Sequence, residues 1–287
     1  MVVRVLRPPF AYYGGKSKYT KILLQYVPPH KTYVEVFGGA ASLLLAKEPS
    51  EVEIYNDIDE GVVNFFRVLR DDEQRARLVK LLDYTPNSRA EYRHCLQTWK
   101  SVDDPVERAR RWFVVIQLST GGRFGAGWGY NVINNARVKA FRSSVAMLDA
   151  AAGRFRHVQV ECNDFRKVLR AYDTPETFFY NDPPYVHDTR SPYFYPNEMS
   201  LDDHRELVEL LLGLKGMALL SGYRHEVYFP LEEAGWQLVT FPVKMCAALT
   251  PGERGRERVE CLWISPSAIS RLQKEQPGNQ GRTQTRS

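Results

Sequence analysis

Thr32-Tyr33-Val34-Glu35-Val36-Phe37-Gly38-Gly39-Ala40-Ala41-Ser42-Leu43-Leu44-Leu45-Ala46-Lys47 runs on through Glu48-Pro49-Ser50-Glu51 to Val52-Glu53-Ile54-Tyr55-Asn56-Asp57. Thr32 to Phe37 is a short apolar run rich in β-branched and aromatic residues, which reads as a buried strand. Gly38-Gly39 gives a tight turn, Ala40 to Lys47 the start of a helix, and Val52 to Tyr55 a second strand ending at Asn56-Asp57. A strand, a glycine turn, a helix, a strand and then an acid describe the opening unit of a doubly wound α/β fold. Asp57 follows Gly38 at close to the ~20-residue spacing at which such an acid meets a ribose hydroxyl. The turn lacks a full G-x-G-x-x-G spacing, so packing alone could also explain it.

A second stretch carries chemistry. Thr177-Phe178-Phe179-Tyr180 reads as a strand, and Asn181-Asp182-Pro183-Pro184-Tyr185 follows it directly. Each proline lacks an N–H and fixes φ, so the pair ends the strand and leaves carbonyl oxygens without ladder partners. Those carbonyls and the Asp182 carboxylate are acceptors beside a flat tyrosine ring. A planar base bearing an exocyclic amine fits such a cradle, whereas an ordinary turn explains a bare Pro-Pro-Tyr.

The remaining α/β signals alternate along the chain. His157 to Cys162 and Met217 to Ser221 read as strands, and Leu201 to Leu214 and a segment before Gly235 as helices. Trp236 to Ala248 and Arg258 to Ile264 read as an antiparallel pair joined by the basic turn Thr250 to Glu257. Between the two halves, Glu60 to about Lys100, Pro105 to Leu118 and a segment near Ser143 to Gly153 carry helical spacing. We therefore expect a discontinuous catalytic domain of residues 1–60 and 155–267, a helical insertion of residues 61–154, and a disordered tail of residues 268–287. No internal repeat is visible.

Inside the insertion, Ser119 to Asn131 combines five glycines with Phe124, Trp128 and Tyr130 and the basic Arg123. Between Pro105 and Val145 seven basic residues face the single acid Glu107. Glycines let a loop enter a groove, and the aromatics offer stacking or wedge surfaces; equally, the rings could pack back onto the insertion. Arg123 could read a base edge or hold a phosphate, and Arg254, Arg256 and Arg258 form a second candidate phosphate patch.

Composition limits the classes available. The chain has 287 residues, 44% of them apolar and 25% charged, the ordinary globular balance. Much of the net charge of +5 sits after Ser267, so global charge says little. The four cysteines form no Cys-x-x-Cys pair and the histidines no ligand spacing, which suggests neither zinc nor a disulfide framework. No apolar stretch reaches the ~18–20 residues of a membrane span, and no secretory signal is evident, so a cytoplasmic location is expected.

Asn181 to Tyr185 resembles the catalytic motif of amino-group DNA methyltransferases. Tyr12-Tyr13-Gly14-Gly15-Lys16 and Val34 to Ala40 resemble the cofactor motifs of the Dam-type adenine branch, and the likeness runs from about Phe10 to Pro266. It implies a Rossmann-like sheet with a helical target-recognition insertion, S-adenosylmethionine as cofactor, and double-stranded DNA as partner. No metal is implied, and the family admits a cognate restriction endonuclease. By resemblance, Asp57 holds the ribose hydroxyls, Asp164 and Phe165 border the adenine, and Tyr12 and Lys16 lie near the methionine moiety. Glu35 orders the loop formed by Phe37, Gly38 and Gly39. Asp182, Pro183, Pro184 and Tyr185 form the catalytic set, with Asp182 also reaching the cofactor; Arg123, Phe124, Trp128, Tyr130, Asn131, Arg254 and Arg256 face DNA. Two departures are visible: family members often carry Trp where Tyr12 stands, and Phe-x-Gly-x-Gly where this chain has Phe37-Gly38-Gly39-Ala40. Methylation of cytosine or RNA through a similar cradle, and a non-catalytic DNA-binding protein of the same fold, are the alternative functions.

Overall fold

In the computed structural model, which describes residues 6–186, 197–244 and 257–274, the apolar runs become five mutually parallel strands. These are β1 (Thr32–Glu35), β2 (Val52–Asn56), β3 (Val158–Glu161), β4 (Thr177–Asn181) and β5 (Met217–Gly222). Two longer strands, β6 (Gln237–Lys244) and β7 (Glu257–Ile264), form the expected antiparallel pair, and β7 attaches it to β5. The order across the sheet is β3-β2-β1-β4-β5-β7-β6. β1 therefore lies between β2, which follows it, and β4, which comes after the whole insertion. A reversal of winding between β1 and β4 opens a crevice at their carboxyl ends, where ligands of such sheets sit.

Strict alternation fills both faces. Tyr33, Phe178, Tyr180, Met217 and Leu219 belong to one buried cluster, and Val34, Phe179, Ala218 and Leu220 to another. Coverage on both sides is why these strands read as nearly continuous apolar runs. The first layer holds α1 (Thr20–Leu23), α2 (Ser42–Ala46), α3 (Glu60–Arg70), α4 (Asp72–Asp83), α5 (Arg89–Thr98), α6 (Pro105–Leu118), α7 (Ala136–Val145) and α8 (Leu148–Phe155). α9 (Phe165–Ala171), α10 (Leu201–Leu212) and α11 (Phe229–Glu233) line the second. No helix among the described residues is long and apolar enough to cross a membrane.

The helical pattern from Glu60 to Lys100 is three helices, and the breaks are chemical. Side chains of Asp59, Asp71 and Ser88 each accept a backbone N–H of the helix that follows. Caps of this kind satisfy the orphan donors of a helix start, so each marks a new beginning. Residues 61–154 share one core with the sheet: Phe66 packs edge-on to Tyr55 of β2 and stacks on Phe155 at 4.2 Å, and Phe65 stacks on Phe113 at 5.3 Å.

One expectation needs correcting. The tail expected to be disordered from residue 268 begins inside a helix, α12 (Pro266–Lys274). Ser265 accepts the Ala268 N–H at 3.3 Å, Pro266 stands at the first helical position, Ala268 is fully buried, and Arg271 pairs with Glu176 at 2.9 Å. Residues 275–287 lie outside the described part of the chain.

Candidate active site

The carboxyl ends of β1, β2 and β4 meet because the strands run in register. Glu35 sits opposite Tyr55 on one side and Tyr180 on the other, so the glycine turn, Asp57 and Asp182 leave the sheet within a few residues of that row. They open into one cavity of about 270 Å³. Tyr12, Lys16, Glu35, Phe37, Gly38, Gly39, Asp57, Asp164, Phe165 and Asp182, the whole set expected at the cofactor, line it.

Close packing explains the glycines. A Cβ on Gly38 would fall 2.1 Å from the ring of Tyr55, whose hydroxyl donates to the Gly39 carbonyl at 2.6 Å. Gly39 takes φ +48°, a conformation that disfavours side chains, and its space is closed by the Tyr12 ring. Its N–H donates to Asp57 Oδ2 at 2.7 Å, and the Asp59 N–H donates to Asp57 Oδ1 at 2.8 Å. Burial and the neighbouring Asp59 carboxylate push the Asp57 carboxyl up to about 6. Asp164 caps α9, and Arg166 is held by Asp164, Asp203 and Glu206 beside the ring of Phe165. Phe165 in turn lies against Phe37, ring centroids 5.6 Å apart.

Glu35 is almost fully buried beneath the turn. Its Oε2 accepts the Tyr33 hydroxyl and the Leu44 N–H, each at 2.8 Å. α2 has no side-chain cap of its own, its N-cap Ala41 lying at φ +55°, so Glu35 caps it from the neighbouring strand. Burial pushes the Glu35 carboxyl up to about 8, which makes the neutral acid the favoured form in the fold. A folded-state value above the ordinary one means that ionisation opposes folding, increasingly as pH rises from the ordinary carboxylate range towards about 8. Glu35→Gln should therefore gain stability on the wild type between pH 5.5 and 8.5 in urea unfolding. Glu35→Ala should lose roughly 1–3 kcal/mol by orphaning the Leu44 N–H. A wild-type to Gln difference that stays constant with pH would contradict this account.

At the other end of the cavity Lys16 is the hub. Its ammonium lies 2.8 Å from Asp182 Oδ1, 3.4 Å from Glu260 Oε1 and 2.9 Å from the Gly14 carbonyl, and 4.7 Å from the centre of the Tyr185 ring. The Tyr185 hydroxyl donates to Glu260, and Tyr223 meets Tyr185 edge-to-face at 4.7 Å. Burial raises the Asp182 carboxyl, opposed by Lys16. It lifts Glu260 to about 7, with Lys16 pulling down and Asp182 pushing up.

This geometry pairs a carboxylate-and-tyrosine cradle after β4 with a glycine turn after β1. A family model for D12 class N6 adenine-specific DNA methyltransferase matches residues 12–226, from Tyr12 at the turn to beyond β5. The chain belongs to that family. It is thus an adenine-specific DNA methyltransferase, and its α/β sheet is the Rossmann-like frame expected of one. No curated protein matches the chain. β6 and β7 lie beyond the matched span of this D12-class chain, and so does Glu260.

The segment expected at DNA divides in two. Phe124 turns inward, edge-on to Trp99 at 5.4 Å and stacked on Trp112 at 6.2 Å, so its ring packs against the core that these helices share with the sheet, contrary to the expectation of a wedge. Trp128 and Tyr130 stack at 5.5 Å with Arg89 over both rings; Trp128 packs against the core while Tyr130 is exposed. Arg123 is half-buried. Asn131 is exposed and shapes the turn, accepting the Ile133 N–H at 2.9 Å and donating to Asn134 at 3.1 Å. Arg254 and Arg256 lie outside the described residues. Sequence reasoning missed Glu260 and the exposed pair Val132 and Ile133, 85% and 87% accessible. An apolar pair between Asn131 and Asn134 was a signal that could have found the latter.

Proposed function

We propose that this enzyme transfers the methyl group of S-adenosylmethionine to the N6 amine of an adenine within a specific double-stranded DNA sequence, after that base has been turned out of the duplex. The observation that carries the reading is the single cavity joining the Gly38-Gly39 turn and Asp57 to Asp182. The residues present fit the cofactor. A glycine turn with no room for a Cβ, two carboxylates at Asp57 and Asp164, and the apolar pair Phe37 and Phe165 suit a ribose with its base. When bound, the cofactor supplies an electrophilic methyl group on a sulfonium.

The chain's own residues do the rest. An exocyclic amine has its lone pair conjugated into the ring, and acceptors holding its N–H bonds favour the pyramidal, nucleophilic form. Asp182 and the Pro183 carbonyl would accept those hydrogens, and the Tyr185 ring would carry the base. Fixing the amine in line with the methyl carbon is worth roughly 7–11 kcal/mol of barrier when near-attack geometry is reached. Incubation of the protein with methyl-labelled cofactor and DNA, followed by base analysis, tests the reading. Label in N6-methyladenine supports it, and label in cytosine, in RNA alone or nowhere overturns it.

Removing a base from the stack costs a few kcal/mol, and something must fill the gap. Tyr130, Val132 and Ile133 stand exposed on the glycine-rich segment, and apolar side chains of this kind can wedge between base steps. Val132→Ser with Ile133→Ser should weaken DNA affinity or turnover about tenfold, on the order of one lost apolar contact set, while cofactor binding by calorimetry is unchanged. Wild-type DNA kinetics in the double variant would remove these two residues from the wedge.

A further inference from the structure

Lys16 presents a problem for the proposed reaction. As the amine attacks, positive charge grows on its nitrogen, and Asp182 is the group placed to stabilise it. Yet a buried ammonium already sits 2.8 Å from Asp182 and over the Tyr185 ring, where the amine would lie. Unless its charge is balanced, Lys16 cancels the carboxylate on which the step depends.

Glu260 supplies the balance. It lies on β7, 4% exposed, opposite the apolar Phe241 of β6. Its Oε1 is within 3.4 Å of the Lys16 ammonium and accepts the Tyr185 hydroxyl, so one carboxylate touches both the lysine and the ring of the cradle. With Glu260 ionised, Lys16, Asp182 and Glu260 together carry a net charge of −1; without it they carry none.

We infer that Glu260 is a positioning residue for methyl transfer: it retains the Lys16 ammonium and anchors the Tyr185 hydroxyl, which leaves the Asp182 carboxylate to the target amine. In the DNA-free state Lys16 occupies the amine's place against Asp182. When the base enters, the ammonium passes to Glu260, and the tyrosine ring stays pinned beneath the base. This inference rests on the functional reading above.

Among the described residues, the titratable and charged groups around the Glu260 carboxylate are Lys16 from the amino-terminal loop and Asp182 and Tyr185 from the segment after β4, while the guanidinium of Arg258, two positions earlier on β7, lies over the ring of Tyr223. Its ionised form is the active one, and burial raises it to about 7. Turnover should accordingly rise with pH through about that value.

The test uses the full-length protein, DNA and labelled cofactor. Glu260→Gln keeps the side-chain shape and an acceptor for Tyr185 but removes the charge; Tyr185→Phe removes the hydroxyl and leaves the charge. Glu260→Gln should lower single-turnover transfer roughly tenfold or more and abolish the wild-type pH limb near 7, with cofactor affinity changed less than about threefold, a split that lost structure alone does not give. Tyr185→Phe should slow transfer while retaining that limb. Thermal melting within a few degrees of wild type shows that both variants fold, and Glu260→Asn, also uncharged and still an acceptor, serves in place of Gln if it does not. Turnover of Glu260→Gln within about twofold of wild type, or an unaltered pH limb, overturns the inference alone. Absence of transfer by the wild type overturns the functional reading with it.

Discussion

Asp182→Ala should lower single-turnover methyl transfer to DNA by roughly 10²–10³-fold, the usual loss when one preorganised group aimed at developing charge is removed. Two effects act together. The amine loses the acceptor that favours its pyramidal form, and the growing positive charge on nitrogen loses its nearest carboxylate. The variant also takes from the buried Lys16 ammonium the nearer of the two carboxylates, Asp182 and Glu260, that it pairs with among the described residues. Asp182→Asn separates the two effects: an amide still accepts a hydrogen bond but carries no charge, so its rate should fall between Ala and wild type. Binding of cofactor, followed by calorimetry, should change far less than the rate in either variant. Full turnover by Asp182→Ala would sink the mechanism, and full turnover by Asp182→Asn would show that charge is not what Asp182 contributes.

How much of this site could be read from the sequence depends on distance along the chain. The glycine turn, Asp57 and the Asp182 cradle each follow their own strand immediately, so local pattern places them, and parallel register brings the three strand ends together. Glu260 illustrates the opposite case. Arg258-Val259-Glu260-Cys261 alternates like any half-exposed edge strand, and nothing local distinguishes a glutamate facing solvent from one facing Lys16. Only the insertion of β7 between β5 and β6 turns that face toward the cradle. Phe124 and Tyr130 make the same point within one loop. Both are aromatic residues among glycines, yet Phe124 finds Trp99 and Trp112 within reach and Tyr130 does not. The start of α12, by contrast, was legible: Ser265-Pro266 is a cap followed by a proline at the first helical position, a signal outweighed by the polar composition of the tail behind it.

Asp57→Asn should weaken S-adenosylmethionine binding about 10–100-fold at pH 8. The proposed role is acceptance of ribose hydroxyl hydrogens, and hydrogen bonds to a charged group contribute about 1.5–3 kcal/mol each, against 1.4 kcal/mol per decade of affinity. Each oxygen of the carboxylate already accepts one backbone N–H, Oδ2 from Gly39 and Oδ1 from Asp59, so the group is held in place before any ligand arrives. That arrangement fixes the direction of a pH effect. Burial and Asp59 raise Asp57 to about 6, so the free enzyme carries a largely neutral acid at pH 5 and a carboxylate at pH 8. Hydroxyl donors favour the charged form, and binding should therefore draw the carboxyl back down and release a proton as pH passes through that range. Wild-type affinity should rise with pH across about 6 and level off above it, whereas Asp57→Asn, with nothing to titrate there, should show a flat profile. Calorimetric titration at pH 5, 6, 7 and 8 in two buffers of different ionisation enthalpy reads both the affinity and the proton released. A flat wild-type profile, or an Asn variant that binds within twofold of wild type at pH 8, would remove Asp57 from the ribose site and leave it as the strut of the glycine turn.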